Sequence, residues 1–378
     1  MPAVLKPNLN NLSLKLMKSN LFFSLIVVFT MSDSDLKELG APIKPSKTSH
    51  NLQLKELEEH VFTNVYQQWK PPAARGIFGG SLIALCLSAA QRTVLGDFHI
   101  HSCHFSFLLA ASLDIRVTFH VERLSDGTSF ATRGIEARQE NRIILSGMIS
   151  FALQNSNHMQ QIQHTIIMPK GLMPPDIMDG DEPEWTRVEP FERRAVKERN
   201  ELGPGEKPRQ RVFRHWVRYR GNIPDTDGPA AHLHALAFIT DGYFILTAAR
   251  VHRLWRFNFD PEDVPSLPEE VRSYVQNVCE TEGLGSSVEE WAQRPRISML
   301  ASLDHNIYFH EPLKISANDW VLTEQESPWA ANGRALVVQR IFAKDGTLLA
   351  TCSQEGILRH LEARLFSIKY IFSSCTLQ

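Results

Sequence analysis

Apolar and polar positions along this chain describe one pattern twice: a helix that is apolar on nearly every side, then a series of alternating strands. Gly76-Ile-Phe-Gly-Gly80 leads into Ser81-Leu-Ile-Ala-Leu-Cys-Leu-Ser-Ala-Ala-Gln-Arg-Thr93. A segment with no polar face and many small residues predicts a helix enclosed by the fold. Strand-like runs follow at 98–109, 114–123, 129–138 and 142–152, the last two rich in β-branched and aromatic residues. Asp126-Gly127 and Glu140-Asn141 supply the turns before them.

The second copy opens with a strand at 212–219 and an apolar helix at about 230–250. Strands at 297–310, 319–327, 334–342 and 347–358 come after it. Its Asn332-Gly333 and Asp345-Gly346 turns match Asp126-Gly127 and Asn141-Arg142 of the first copy. Aligning on these turns sets Ser150 opposite Gln354, and aligning the strands that follow the helices sets His104 opposite His305. A repeat of this kind organises the whole fold. Residues 154–208, broken up by Pro, Gly, Met and charge, read as a connector. Residues 257–295, acid- and Pro-rich, read as a surface insertion with a short helix opened by Ser287-x-x-Glu290, a capping-box spacing.

Composition limits the chemistry. With 378 residues, 43% apolar and 22% charged, the chain can fill two cores. Forty basic against 42 acidic residues give a formal charge of -2, so no global field recruits nucleic acid or an anionic membrane. The five cysteines are scattered without a CxxC, which suggests a reducing compartment and no disulfide framework. The apolar run 21–30 follows Lys15 and Lys18 like the core of a signal peptide, but it lacks a small-x-small cleavage site and is too short to span a bilayer. Met31 opens a polar stretch that reads as an ordinary N-terminus.

Three polar residues stand out at the ends of apolar runs: Asp241, Ser302 and Gln354. A carboxylate in the middle of an apolar helix is expensive to bury, and the first-copy helix has no acid. A strand serine or glutamine alone is ordinary. Together, an acid, a hydroxyl and an amide can hold and activate a water for attack on a carbonyl carbon without a metal or cofactor. His99, His101, Cys103 and His104 do not make a metal site, since alternation puts the first three on one face and His104 on the other. Asp304 and His305, as strand neighbours, face opposite sides. GxSxG, HExxH, Walker A and GxGxxG motifs are absent. Gly79-Gly80 at a helix start offers backbone N–H groups to an anion, or allows close packing.

The motifs Arg75-Gly-Ile-Phe-Gly-Gly80, Asp126-Gly-Thr-Ser-Phe-Ala-Thr-Arg133, Ile239-Thr-Asp-Gly242, Ser302-Leu-Asp-His305 and Ser353-Gln-Glu-Gly356 together resemble the type-II acyl-CoA thioesterases, in order from about 58 to 360. The resemblance implies an α+β double hotdog fold, two repeats each with a long central helix wrapped by an antiparallel sheet. It implies hydrolysis of acyl-CoA to fatty acid and CoA, with the acid at Asp241, the hydroxyl at Ser302 and the amide at Gln354. Where the family has Gln after the paired glycines this chain has Ser81, and where the family has Arg-Pro-Gly it has Leu109-Ala-Ala-Ser112. The expected division is an irregular extension at 1–57, a first repeat at 58–153, the connector at 154–208, a second repeat at 209–362 holding the 257–295 insertion, and a tail at 363–378. The expected partner is acyl-CoA, with neither nucleic acid nor stable membrane insertion; a homo-oligomer is compatible with the fold. A hotdog enoyl-CoA hydratase and a non-catalytic acyl-CoA binder stay open as alternatives. Family members in eukaryotes suggest a peroxisomal address, otherwise a cytoplasmic one. The chain ends Cys375-Thr-Leu-Gln378, unlike a Ser-Lys-Leu tripeptide, although Ala363-Arg-Leu365 would serve as a variant if the chain stopped there.

Overall fold

In a computed structural model of the chain, the described residues are 52–71, 74–153, 162–175, 189–196, 207–257 and 259–361. The apolar run 21–30 and the tripeptide Ala363-Arg-Leu365 lie outside them.

The first half runs β1 (Leu54–Glu58), β2 (Val61–Asn64), α1 (Gly79–Gln91), β3 (Phe98–Phe107), β4 (Thr118–Asp126), β5 (Phe130–Gln139) and β6 (Arg142–Leu153). The second runs β7 (Phe191–Ala195), β8 (Val212–Tyr219), α2 (Gly228–Thr240), α3 (Leu246–Val251), α4 (Glu269–Thr281), α5 (Val288–Ala292), β9 (Arg296–Ser302), β10 (Asp304–Phe309), β11 (Val321–Ala331), β12 (Arg334–Ala343) and β13 (Leu348–Leu361). One antiparallel sheet joins them in the order β1-β2-β4-β5-β6-β3-β10-β13-β12-β11-β8-β7, with β9 extending from β13. The order is a palindrome about the β3–β10 pair: β3-β6-β5-β4-β2-β1 on one side, β10-β13-β12-β11-β8-β7 on the other. This is the double hotdog, with each half supplying a helix and the sheet that wraps it.

Burial explains why the helices sit inside. Ten of the thirteen residues of α1 and eight of the thirteen of α2 are buried, so neither could rest on a surface. Strand β5 buries alternate residues along its length, presenting Ala131, Ile135 and Ala137 to the helices. Arg133 on the same strand is 1% exposed and donates to Asp126, to Thr93 at the end of α1 and to the Ser125 carbonyl. The Asp126…Arg133 motif therefore clamps the β4–β5 hairpin to α1.

The structure corrects several expectations. Strands β1 and β7 form where irregular chain was expected. The helix expected over 230–250 stops at Thr240 and resumes at Leu246 as α3. Between them Tyr243 takes a positive φ of 62°, which ends regular helix. The insertion carries a helix, α4, that the sequence reading missed, and buries a core of its own around Trp255, Phe257, Val271, Val275 and Trp291. The capping box at Ser287 and Glu290 forms as expected.

Two face assignments change as well. A bulge between Ile100 and Ser102 adds a residue to β3, so Cys103 points inward while His104 is half-buried on the opposite side. The loop between β12 and β13 spans 344–347, against 140–141 between β5 and β6. Alignment on the turns is therefore out of step. Ser150 and His104 face away from Gln354 and His305. The inward cross-strand pair in the corresponding place of the first half is Cys103 with Ile149.

Candidate active site

Asp241 is the C-cap of α2, the residue where that helix breaks, not a mid-helix residue. Its position is set by the other half of the molecule. The backbone N–H of Gly80, one of the N-terminal donors of α1 without a partner inside the helix, donates to Asp241 Oδ2 at 3.0 Å. The carboxylate thus lies between the unfavourable negative end of α2 and the favourable positive end of α1. The approach requires glycine: a Cβ on Gly79 would lie 2.7 Å from Asp241 Oδ2, and one on Gly80 would lie 2.3 Å from the Phe238 carbonyl oxygen. Both readings of Gly79-Gly80 hold, since the pair supplies a backbone donor and permits close helix packing.

Gln354 donates from Nε2 to Asp241 Oδ1 at 2.9 Å. It is fully buried on β13, and its Oε1 has no hydrogen-bond partner. An amide so placed holds the carboxylate with one end and offers an acceptor with the other. The Asp241 side chain is 10% exposed. Burial pushes its pKa up to about 6, against the lowering effect of the Gln354 and Gly80 hydrogen bonds. A carboxylate with this value is ionised at neutral pH yet basic enough to take a proton.

Ser302 reaches the same face by a break in the chain. The run expected as one strand over 297–310 is two strands, β9 and β10, divided at Leu303, whose N–H donates to Glu355 O at 2.9 Å. Ser302 pairs with Gly356, two residues beyond Gln354, so register puts Ser302 diagonal to Gln354 on the inward face. No hydrogen bond joins Ser302 to Asp241 or Gln354, so the hydroxyl is beside the acid–amide pair rather than part of it.

His305 was not singled out for the site, yet it lies there. Because the break at Leu303 resets the alternation, His305 faces inward as Ser302 does. It is fully buried, its Nδ1 is 3.9 Å from Asp241 Oδ1, and its Nε2 is 2.8 Å from Thr240 Oγ1. Burial pulls its pKa down to about 3, which keeps the ring neutral. Asp304 faces the other way as expected: its carboxylate accepts from the Glu355 N–H at 2.6 Å and lines an open cleft of about 330 Å³ with His104, Ser106, Ser146 and Asn306. In α1 the position matching Asp241 is the C-cap Arg92, which donates to the Leu54 carbonyl. Only one copy of the helix ends in an acid. Among the described residues, no three His, Cys, Asp or Glu side chains cluster as a metal site would need.

Comparison with known proteins places the chain in a family. Residues 66–152 match the family described as "Acyl-CoA thioesterase N-terminal domain", and 169–358 match "Acyl-CoA thioesterase C-terminal domain". The chain is 27% identical over 347 residues to "Acyl-coenzyme A thioesterase 8" of Mus musculus, covering 86% of this chain and 93% of that protein. It is 24% identical over 347 residues to "Peroxisomal acyl-coenzyme A thioester hydrolase 1" of Saccharomyces cerevisiae, covering 84% and 96%. The solved structure of acyl-CoA thioesterase II TesB2 from Mycobacterium marinum superposes with a TM-score of 0.57 at 28% identity, over 83% of this chain and 97% of that one. The chain belongs to the acyl-CoA thioesterase family, a family of thioester hydrolases.

Proposed function

We propose that the protein hydrolyses acyl-CoA through a water activated by Asp241 and held by Gln354 and Ser302. The observation that carries this reading is the buried carboxylate with a pKa near 6, fixed by one backbone and one amide donor, beside an amide oxygen that has no partner. A water donating one hydrogen to Asp241 and the other to Gln354 Oε1 has a lone pair left for the thioester carbon. As its oxygen bonds to that carbon, the water's O–H bond breaks and the proton passes to Asp241. Collapse of the tetrahedral intermediate breaks the C–S bond, and the same proton goes to the departing thiolate of CoA. Ser302, diagonal to Gln354 on the same face, orients the water or the carbonyl oxygen.

The test is thiol release from a ladder of acyl-CoAs, short to long, with 2-enoyl-CoA included. Thiol release supports the reading and ranks the chain lengths. Loss of the enoyl ultraviolet band without thiol would favour a hydratase, and tight binding without turnover would favour an acyl-CoA binder. The similarity to the yeast peroxisomal enzyme supports a peroxisomal location. Imaging a version ending at Leu365 beside the 378-residue chain tests the address: import of the shorter form alone assigns it to Ala363-Arg-Leu365.

A further inference from the structure

We propose that His305 is a positioning residue for Asp241: locked in its Nε2–H form by Thr240, it turns a bare Nδ1 lone pair toward the carboxyl and raises that group's appetite for a proton. The inference rests on the assignment of Asp241 as the base.

The hydrogen-bond network selects the tautomer. Thr240 Oγ1 lies 2.8 Å from the Ala237 carbonyl and 2.8 Å from His305 Nε2. A hydroxyl has one proton. If it goes to the Ala237 carbonyl, the oxygen must accept from Nε2–H, and both contacts are hydrogen bonds. If it goes to Nε2 instead, the Ala237 contact is lost, and Nδ1–H becomes a buried donor with Asp241 Oδ1 3.9 Å off, beyond hydrogen-bond distance. Orphaned buried N–H groups are the rarer and costlier defect, so the first arrangement prevails. Nδ1 is then an acceptor, and it has no partner.

The ring cannot turn away. Phe244 packs edge-on at 5.7 Å between centroids, and Phe105 is its cross-strand neighbour on β3. When Asp241 is ionised, its Oδ1 and His305 Nδ1 are two acceptors 3.9 Å apart and repel. When Asp241 has taken the water's proton, the carboxyl O–H can point at Nδ1 and the repulsion becomes attraction. His305 thus favours the protonated carboxyl, the state reached on proton abstraction.

No charged side chain competes among the described neighbours. The titratable groups on the inward face of the flanking strands are the thiols Cys103 on β3 and Cys352 on β13, both raised by burial and neutral. Asp304 and Glu355 sit on the opposite face or away from it. Of the elements packed on the pair, α1 contributes Ser81 and Cys86, neither of them charged.

Two measurements test the proposal. Nitrogen-15 NMR of histidine-labelled protein at pH 7, with His305→Gln to assign the signal, should show a protonated Nε2 and a bare Nδ1. A protonated Nδ1 or an imidazolium overturns it, whatever the enzyme's activity. Thr240→Val removes the acceptor that fixes the tautomer, so the proton can move to Nδ1 and the ring then faces the carboxylate, 3.9 Å away, with a positive edge in place of a lone pair. The acid limb of kcat should then fall by about one pH unit, as expected when a dipole that opposed the charged form is reversed to favour it. Thr240→Ser, which keeps the hydroxyl, should return the limb to its original place. A limb unmoved in Thr240→Val, with a folded protein and lower kcat, would leave His305 merely structural. Failure of the base assignment itself appears elsewhere, as full activity in Asp241→Asn.

Discussion

If Asp241 is held as a buried base, the folded state bears a cost that an asparagine there would remove. The pKa rises from 3.8 to about 6 on folding, which corresponds to about 3 kcal/mol against the ionised folded protein. A raised folded pKa leaves stability whole below the unfolded value and lost as pH rises through the folded one. Linkage assigns about 1 kcal/mol of this loss to pH 4.5 and nearly all of it to pH 7.5. Asparagine changes the hydrogen bonds with Gly80 and Gln354 as well, but that change does not titrate. The useful quantity is therefore the difference between two pH values. Chemical denaturation of wild type and Asp241→Asn at pH 4.5 and 7.5 should show the variant gaining about 2 kcal/mol relative to wild type between them. A gap that stays constant, or shrinks, as pH rises would refute the claim that burial raises this carboxyl.

Other changes have separate outcomes. Gln354→Ala removes the amide donor that lowers the Asp241 pKa, so the acid limb of kcat should move upward and kcat should fall on the order of a hundredfold, the scale for one positioned polar group. Gly79→Ala places a methyl 2.7 Å from Asp241 Oδ2 and 2.8 Å from Phe107; kcat should drop by about a hundredfold through displacement of the base, with circular dichroism unchanged. Glu282 bridges Arg250 and Arg256, all three buried, at 2.9 and 2.6 Å. Glu282→Gln strands two buried cations and should cost about 3–5 kcal/mol in urea unfolding, the range for breaking a buried pair.

How far the sequence carried depends on the kind of feature. The repeat, the enclosed helices and Asp241 were legible because each leaves a local mark: period-two alternation, all-round apolarity, or a charge where burial is costly; Gln354 stood out only in combination with Asp241. Facing was harder. A one-residue bulge at Ile100–Ser102 and the break at Leu303 each flip inside to outside, and neither has a glycine or proline to announce it. Without the bulge in view, aligning the two strands sets His104 opposite His305, although His104 lies on the outer face. The break of the 230–250 helix at Asp241 was hidden too. The positive φ of Tyr243 marks it, but the apolar pattern continues unbroken through Phe244, Ile245 and Leu246. Helix α4 was obscured by the prolines and acids around it, although its own Val271, Val275 and Cys279 fall at helical spacing.

The central claim is that Asp241 takes a proton from the attacking water. Its most direct test is kcat for thiol release at saturating acyl-CoA from pH 5 to 8, wild type against Asp241→Asn. Wild type should lose activity as pH falls through about 6, and the variant should be slower by on the order of a hundredfold or more at neutral pH. A variant with wild-type kcat would contradict the account.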